Sequence, residues 1–274
     1  MKMEELFDKV HQLPTIPKVV QELIDTFDRD EVDIDAIASK IALDQVITAK
    51  VLRLANSSHY GASRKVASVD DAIVVLGFNV LRTLVVASGV TGAFVSPKGF
   101  DRQQFWKHSL AVAATAKWLA KPAKVPPEIA FTTGMLHNIG ELLIHVVDPE
   151  LAGRIDQQVA TGGNRVRLEE TQIGFDYVQV GAELARRWSF PNEIVEAIRH
   201  QHDPQQQQPP SALTQVLSLA IYVVDQQERE ATPEQFIAGF PDATAAAVGT
   251  SAQALLDARE TLAQLAAGYD ELLR

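Results

Sequence analysis

The residues best placed for chemistry are His137 and Asn138, a polar pair inside the otherwise apolar run Phe131-Thr-Thr-Gly-Met-Leu-His-Asn-Ile-Gly-Glu141. Polar groups in such a run need partners. An inward-facing His137 must hydrogen-bond or bind a metal, and Glu141 follows one helical turn further along the same face. The plainer reading is a core histidine satisfied by its neighbours. His145, eight residues after His137, either extends that face or lies exposed or capped near the helix end. His108 sits on an earlier helical segment, whereas His11 and His59 fall in loops. With no cysteine in the chain, any metal would rest on His, Asp, Glu or Asn. There is no Gly-rich phosphate loop and no Gly-x-Ser-x-Gly elbow.

Helices must carry these residues. Leu13-Pro-Thr-Ile-Pro17 is stiff and extended, so helix begins only at its end. Val19, Val20, Leu23, Ile24 and Phe27 then repeat at helical spacing. Asp33 and Asp44 are placed to cap the next two helices, the second running to about Ala55. Ser68-Val-Asp-Asp71 has capping-box spacing, and Gly77 stands where the helix it starts must end. An apolar helix over 80–90 leads into a connector over 91–101 that holds Gly92, Pro97 and Gly99. Further helices are expected over 104–119, across the run holding His137, and over 181–188, 192–200 and 212–224, with Pro122, Pro126 and Pro127 as interruptions. Thr232-Pro-Glu-Gln235 starts another, and the Ala-rich stretch 243–273 supplies one or two more. No strand pattern persists, so the fold class is all-α. The divisions fall at 1–95, an N-terminal helical subdomain; 96–225, a helical bundle; and 226–274, a C-terminal helical extension.

A chain of 274 residues with 46% hydrophobic content can bury a core, and its formal net charge of −10 disfavours nucleic acid as a partner. No apolar run reaches the roughly 18 residues that spanning a bilayer needs, and the start has no signal-peptide pattern. A soluble, cytoplasmic protein without membrane contact is expected. Trp106, Trp118 and Trp188 read as core, and Arg165, Arg167, Arg186 and Arg187 as solvated basic positions.

Taken in order, Leu13-Pro-Thr-Ile-Pro17, Asp44 to Asn56-Ser57 with Tyr60-Gly61, Leu76-Gly77, Leu136-His-Asn-Ile-Gly140, Gly181 with Ala185 to Trp188, and His202-Asp-Pro204 resemble the HDOD family over roughly residues 6–225. The resemblance implies an N-terminal helical subdomain before an HD-like bundle, related to the HD and HD-GYP metal-dependent phosphohydrolases, and a bacterial role in signalling or regulation. Laid on this chain, His108 matches the first histidine of the hydrolases' metal site and His137 the histidine of their His-Asp doublet. Asn138 stands where the doublet has aspartate, Glu141 where the cyclic-dinucleotide hydrolases carry lysine, and Tyr177 where histidine is common. Gln201 replaces the first of a His-His pair completed by His202, and Ile221 falls at a late aspartate. Losing these ligands implies no dinuclear centre, so neither catalytic residues nor a metal or other cofactor is expected. The one metal arrangement left is a single divalent ion on His108, His137 and one of His200 or His202, with His202 in the family register. His108, His137, Asn138, Glu141, Tyr177 and His202 would then line a vestigial metal pocket that takes a ligand or bonds within itself. The leading expectation is a non-catalytic regulatory module that binds a signalling protein or small ligand. The alternative is a metal-dependent phosphohydrolase with a reduced ligand set.

Overall fold

The computed structural model describes residues 3–9, 15–27, 29, 31–57, 60, 65–94 and 99–273. His11, Leu13, Pro14, His59, Gly61 and Pro97 lie outside the described residues. In chain order the helices are α1 (Met3–Lys9), α2 (Lys18–Ile24), α3 (Ile34–Leu43), α4 (Gln45–Ala55), α5 (Val69–Leu76), α6 (Phe78–Ala93), α7 (Arg102–Ala123), α8 (Pro127–Leu136) and α9 (Ile139–Val147). They continue as α10 (Pro149–Ala160), α11 (Arg165–Ile173), α12 (Tyr177–Arg187), α13 (Asn192–Arg199), α14 (Ala212–Glu228), α15 (Pro233–Ala238), α16 (Asp242–Val248), α17 (Ala252–Asp257) and α18 (Arg259–Ala267). Pro204–Gln206 and Asp270–Leu273 form short 3-10 turns. No strand occurs among the described residues, and the fold is all-α.

Short polar side chains start these helices by accepting from the first free amides. Asp33 accepts from Ala36 N at 2.9 Å, and Asp44 from Val46 N and Ile47 N, both at 3.0 Å. Thr232 and Gln235 close a full capping box. Ser68 accepts from Asp71 N at 3.0 Å, but Asp71 Oδ2 accepts from Ala67 N rather than from Ser68, so that box is only half made. Gly77, with φ 82°, ends α5 and opens α6. The Asn56 side chain accepts from Val66 N and donates to Val66 O, each at 2.8 Å, which ties the end of α4 to the strap before α5.

Several boundaries differ from the sequence expectation. Helix α6 continues to Ala93, so Thr91 and Gly92 are helical. Pro122 does not interrupt α7 but sits in its last turn, where it removes one i→i−4 hydrogen bond and Lys124, at φ 57°, closes the helix two residues later. Helix α12 begins at Tyr177, not 181, because Asp176 accepts from Gln179 N at 2.7 Å. Helix α14 runs on to Glu228, and the Ala-rich stretch folds into α16, α17 and α18 rather than one or two helices.

Helix α7 is the axis of the bundle, with α8, α14, α16 and α18 packed along it. Helix α6 meets α2, α4 and α5 on one side and α8 on the other, so the apolar core runs continuously from the N-terminal helices into the bundle. The guanidinium of Arg82 on α6 is buried, donates to Thr26 O at 2.9 Å and stacks on Phe27 at 4.1 Å. No described helix is long and apolar enough to cross a membrane.

Candidate functional site

The apolar run around His137 is not one helix. Helix α8 stops at Leu136 and α9 starts at Ile139, with Asn138 between them at φ −112°, ψ 12°. Tertiary partners hold this break open: Gln201 Nε2 donates to His137 O at 3.0 Å, and Ser109 Oγ donates to Asn138 Oδ1 at 2.9 Å. Beyond the break, α9 crosses α12 backbone to backbone. A Cβ on Gly140 would press into the Tyr177 carbonyl oxygen and stand 2.5 Å from Gly181 N, so the crossing requires glycine.

This geometry brings the predicted residues to one cleft of about 600 Å³. His108 comes from α7, His137 and Asn138 from the break, Glu141 from α9, Tyr177 from the start of α12, and His202 from the turn after α13. Ile221 also lines it, and so do Asp225 and Glu228, which lie four and seven residues further along the same face of α14. The sequence reading ended that helix at 224 and so missed both carboxylates. Helical periodicity from Ile221 was the signal that could have found them.

Hydrogen bonds fix the protonation of several groups. A carbonyl only accepts, so His137 Nδ1 carries the proton that it donates to Gly134 O at 2.7 Å. Burial and the neighbouring His108 push the His137 imidazole well below its ordinary value, which keeps the Nε2 lone pair free. Tyr177 Oη and His202 Nε2 are 2.7 Å apart. Burial raises the phenol and lowers the imidazole, so both members of that pair are neutral. His108 behaves differently: burial opposes its charge, but Glu228, at 3.0 Å from Nδ1, with Asp225 and Glu141 raises it above the ordinary histidine value. Burial also raises Asp225.

A second network closes the far end of the cleft. Arg165 on α11 lies 2.5 Å from Asp156, 3.4 Å from Glu141 and 3.4 Å from Glu169, so it is a fully engaged half-buried cation and not a solvated one. Those carboxylates outweigh its burial and hold it charged. Glu169, only 1% exposed, is pushed up to about 7 by burial even though it accepts from Tyr177 N at 2.6 Å. His145 is buried rather than exposed. Its Nδ1 donates to Glu141 O at 2.9 Å, and its Nε2 meets Asp156 at 2.8 Å. Arg186 and Arg187 both pair with Glu183. Trp106 and Trp188 are core residues, and Trp118 is half-buried.

A dinuclear hydrolytic centre does not fit these residues. Asn138 spends its carbonyl on Ser109, Gln201 spends its amide on a backbone carbonyl, and Ile221 offers no donor atom. The three-imidazole set His108, His137 and His202 does not converge either. Among the described residues the group that comes together is His108, Asp225 and Glu228, with one ligand atom from each inside a 4.8 Å span.

The HDOD domain family model matches residues 13–204, and the chain belongs to that family. Its fold follows that of a candidate phosphohydrolase from Shewanella amazonensis SB2B, with 34% identity and a TM-score of 0.80 over 99% of this chain and 98% of that one. An HDOD domain protein with unknown function from Geobacter sulfurreducens shares the fold at a TM-score of 0.80 and 24% identity, over 98% and 96% of the two chains. An uncharacterized protein of Treponema pallidum (strain Nichols) is 23% identical over 256 residues, 90% of this chain and 50% of that protein. Ribonuclease Y of Thermus thermophilus is 32% identical over 102 residues, 37% of this chain and 13% of the ribonuclease. The chain therefore spans about half the length of the Treponema relative and a small part of the ribonuclease.

Proposed function

We propose that this HDOD chain is a non-catalytic regulatory module whose cleft recognises a protein partner or a small ligand. The observation that carries this reading is that residues standing at the hydrolases' ligand positions are engaged by other protein groups: Asn138 Oδ1 by Ser109, Gln201 Nε2 by the backbone of His137, and Tyr177 by His202. Such a network fixes the shape of a pocket and leaves few groups to gather metals around a phosphoester. Charge supports the same reading. Among the described lining residues the five carboxylates of Asp101, Glu141, Asp156, Asp225 and Glu228 outnumber Arg165 and the titratable His108, an arrangement that repels a phosphate and suits a cationic or neutral group. Membership of the HDOD family supports the regulatory role.

The name of the Shewanella relative motivates a second reading, metal-dependent phosphoester hydrolysis, and the free Nε2 of His137 favours it. One experiment separates the two. Protein reconstituted with divalent metal is offered phosphomonoesters, nucleotides and cyclic dinucleotides, beside the His137→Ala variant. A photo-crosslinker at Gln104, on the exposed rim, is carried in parallel in cells of the native host. The regulatory reading expects no turnover above the variant and a discrete crosslinked product that Glu141→Lys abolishes. Turnover that depends on His137, or crosslinking indifferent to the cleft, overturns it.

A further inference from the structure

We propose that His108, Asp225 and Glu228 form a site for one divalent transition cation of the Zn²⁺, Mn²⁺ or Fe²⁺ kind. The site lies one to two turns along α14 from Ile221, the position at which the resemblance places a late aspartate. Three observations carry this beyond an ordinary ion pair. The ligand atoms already lie inside a 4.8 Å span, and His108 Nδ1 stands 3.0 Å from Glu228 Oε2. Adjacent ligands on a cation with bonds near 2.1 Å stand about 3 Å apart, so little movement is needed to admit the ion. Next, no hydrogen bond from any described residue reaches the half-buried Asp225 carboxylate, which has only the through-space attraction of His108 and Arg229. Finally, His137 is 2% exposed, and its ring is centred 5.3 Å from that of His108. Its Nε2 has no partner among the described residues and faces the same cleft, as a buried imidazole beside a ligand set would.

The donor set selects the ion. One imidazole nitrogen with two carboxylates suits borderline transition cations better than Mg²⁺ or Ca²⁺, which prefer all-oxygen shells. Three protein ligands also leave coordination positions for water or for an oxygen of an incoming molecule, so the ion would present an electrophilic point at the floor of the cleft. By joining α7 to α14, the ion would also stabilise the bundle axis.

This inference uses the same cleft as the regulatory reading but does not depend on it. The test is calorimetric titration of chelator-stripped, tag-free full-length protein with Zn²⁺ and with Mn²⁺, together with thermal melts. The expected result is one ion per chain and a melting temperature raised by roughly 4 °C at a hundredfold excess over Kd. Asp225→Asn and Glu228→Gln, which keep the side-chain shapes, should each weaken binding at least tenfold, whereas His202→Ala should leave it within about twofold. No saturable binding, or binding unchanged in both carboxamide variants, overturns the site. Binding without turnover sustains both proposals, binding with turnover overturns the regulatory one alone, and neither binding nor turnover overturns this one alone.

Discussion

Replacing Gly140 with alanine tests whether the crossing of α9 and α12 sets the site. The new Cβ would press into the Tyr177 carbonyl oxygen and lie 2.5 Å from Gly181 N, against an ordinary contact of 3.4 Å or more. Both obstacles are backbone atoms within a helix, so no rotamer change relieves them, and the helices must part by about 1 Å. Overpacking of this kind costs about 1–3 kcal/mol when side chains can move. Here an expected loss of about 3–4 kcal/mol follows from the rigidity of the obstacle, after about 0.5–1 kcal/mol is regained from alanine's helix preference. The reciprocal change provides an internal scale. A Cβ on Gly181 meets Gly140 N at 3.3 Å, close to an ordinary contact, so Gly181→Ala should cost no more than about 1 kcal/mol. Urea denaturation followed by far-ultraviolet circular dichroism, with m-values compared, measures both. A Gly140→Ala loss below about 1 kcal/mol, or Gly181→Ala as the more damaging change, would refute the reasoning.

Glu169 is the acid to follow with pH. Its folded-state pKa of about 7 lies above the ordinary 4.5, so the folded chain holds the extra proton between those values, and stability falls as pH rises through that window. The loss is at most about 3 kcal/mol, and Glu169→Gln should flatten the slope seen in denaturation curves taken at about pH 5 and pH 8. An unchanged slope in the variant would contradict the assignment. On α10, a Cβ at Gly153 meets nothing within 4 Å, so Gly153→Ala should stabilise the protein by about 0.5–1 kcal/mol, read as a higher melting temperature. A lower one would show that the position needs glycine for another reason.

What could be seen in the sequence was mostly what neighbouring residues decide. The caps at Asp33, Asp44 and Thr232 and the stop at Gly77 are local hydrogen-bond and backbone choices, and each was visible as a residue type at a fixed offset. The six cleft residues were found because the family resemblance places them, whereas their bonding could not be read. The break between α8 and α9 depends on Ser109 and Gln201, which are 29 and 64 residues from the groups they hold. Nothing in the apolar run itself signals it. Arg165 looked solvated because its partners Glu141 and Asp156 come from other helices. Asp225 and Glu228 escape for a simpler reason: the periodic stretch read as helix stops at 224, four residues short of the end of α14.

The turn at Asp270–Leu273 rests on α4, α6 and α7, and Leu272 is wholly buried there. During synthesis, α4 is therefore complete long before the residue that seals it. Roughly 220 residues separate Ala55 from Leu272, and at about 5–20 residues per second the early helices wait on the order of ten to forty seconds with that face uncovered. A ribosome-associated chaperone would meet this face before the Asp270–Leu273 turn does, and any truncation ahead of that turn would leave it open for good.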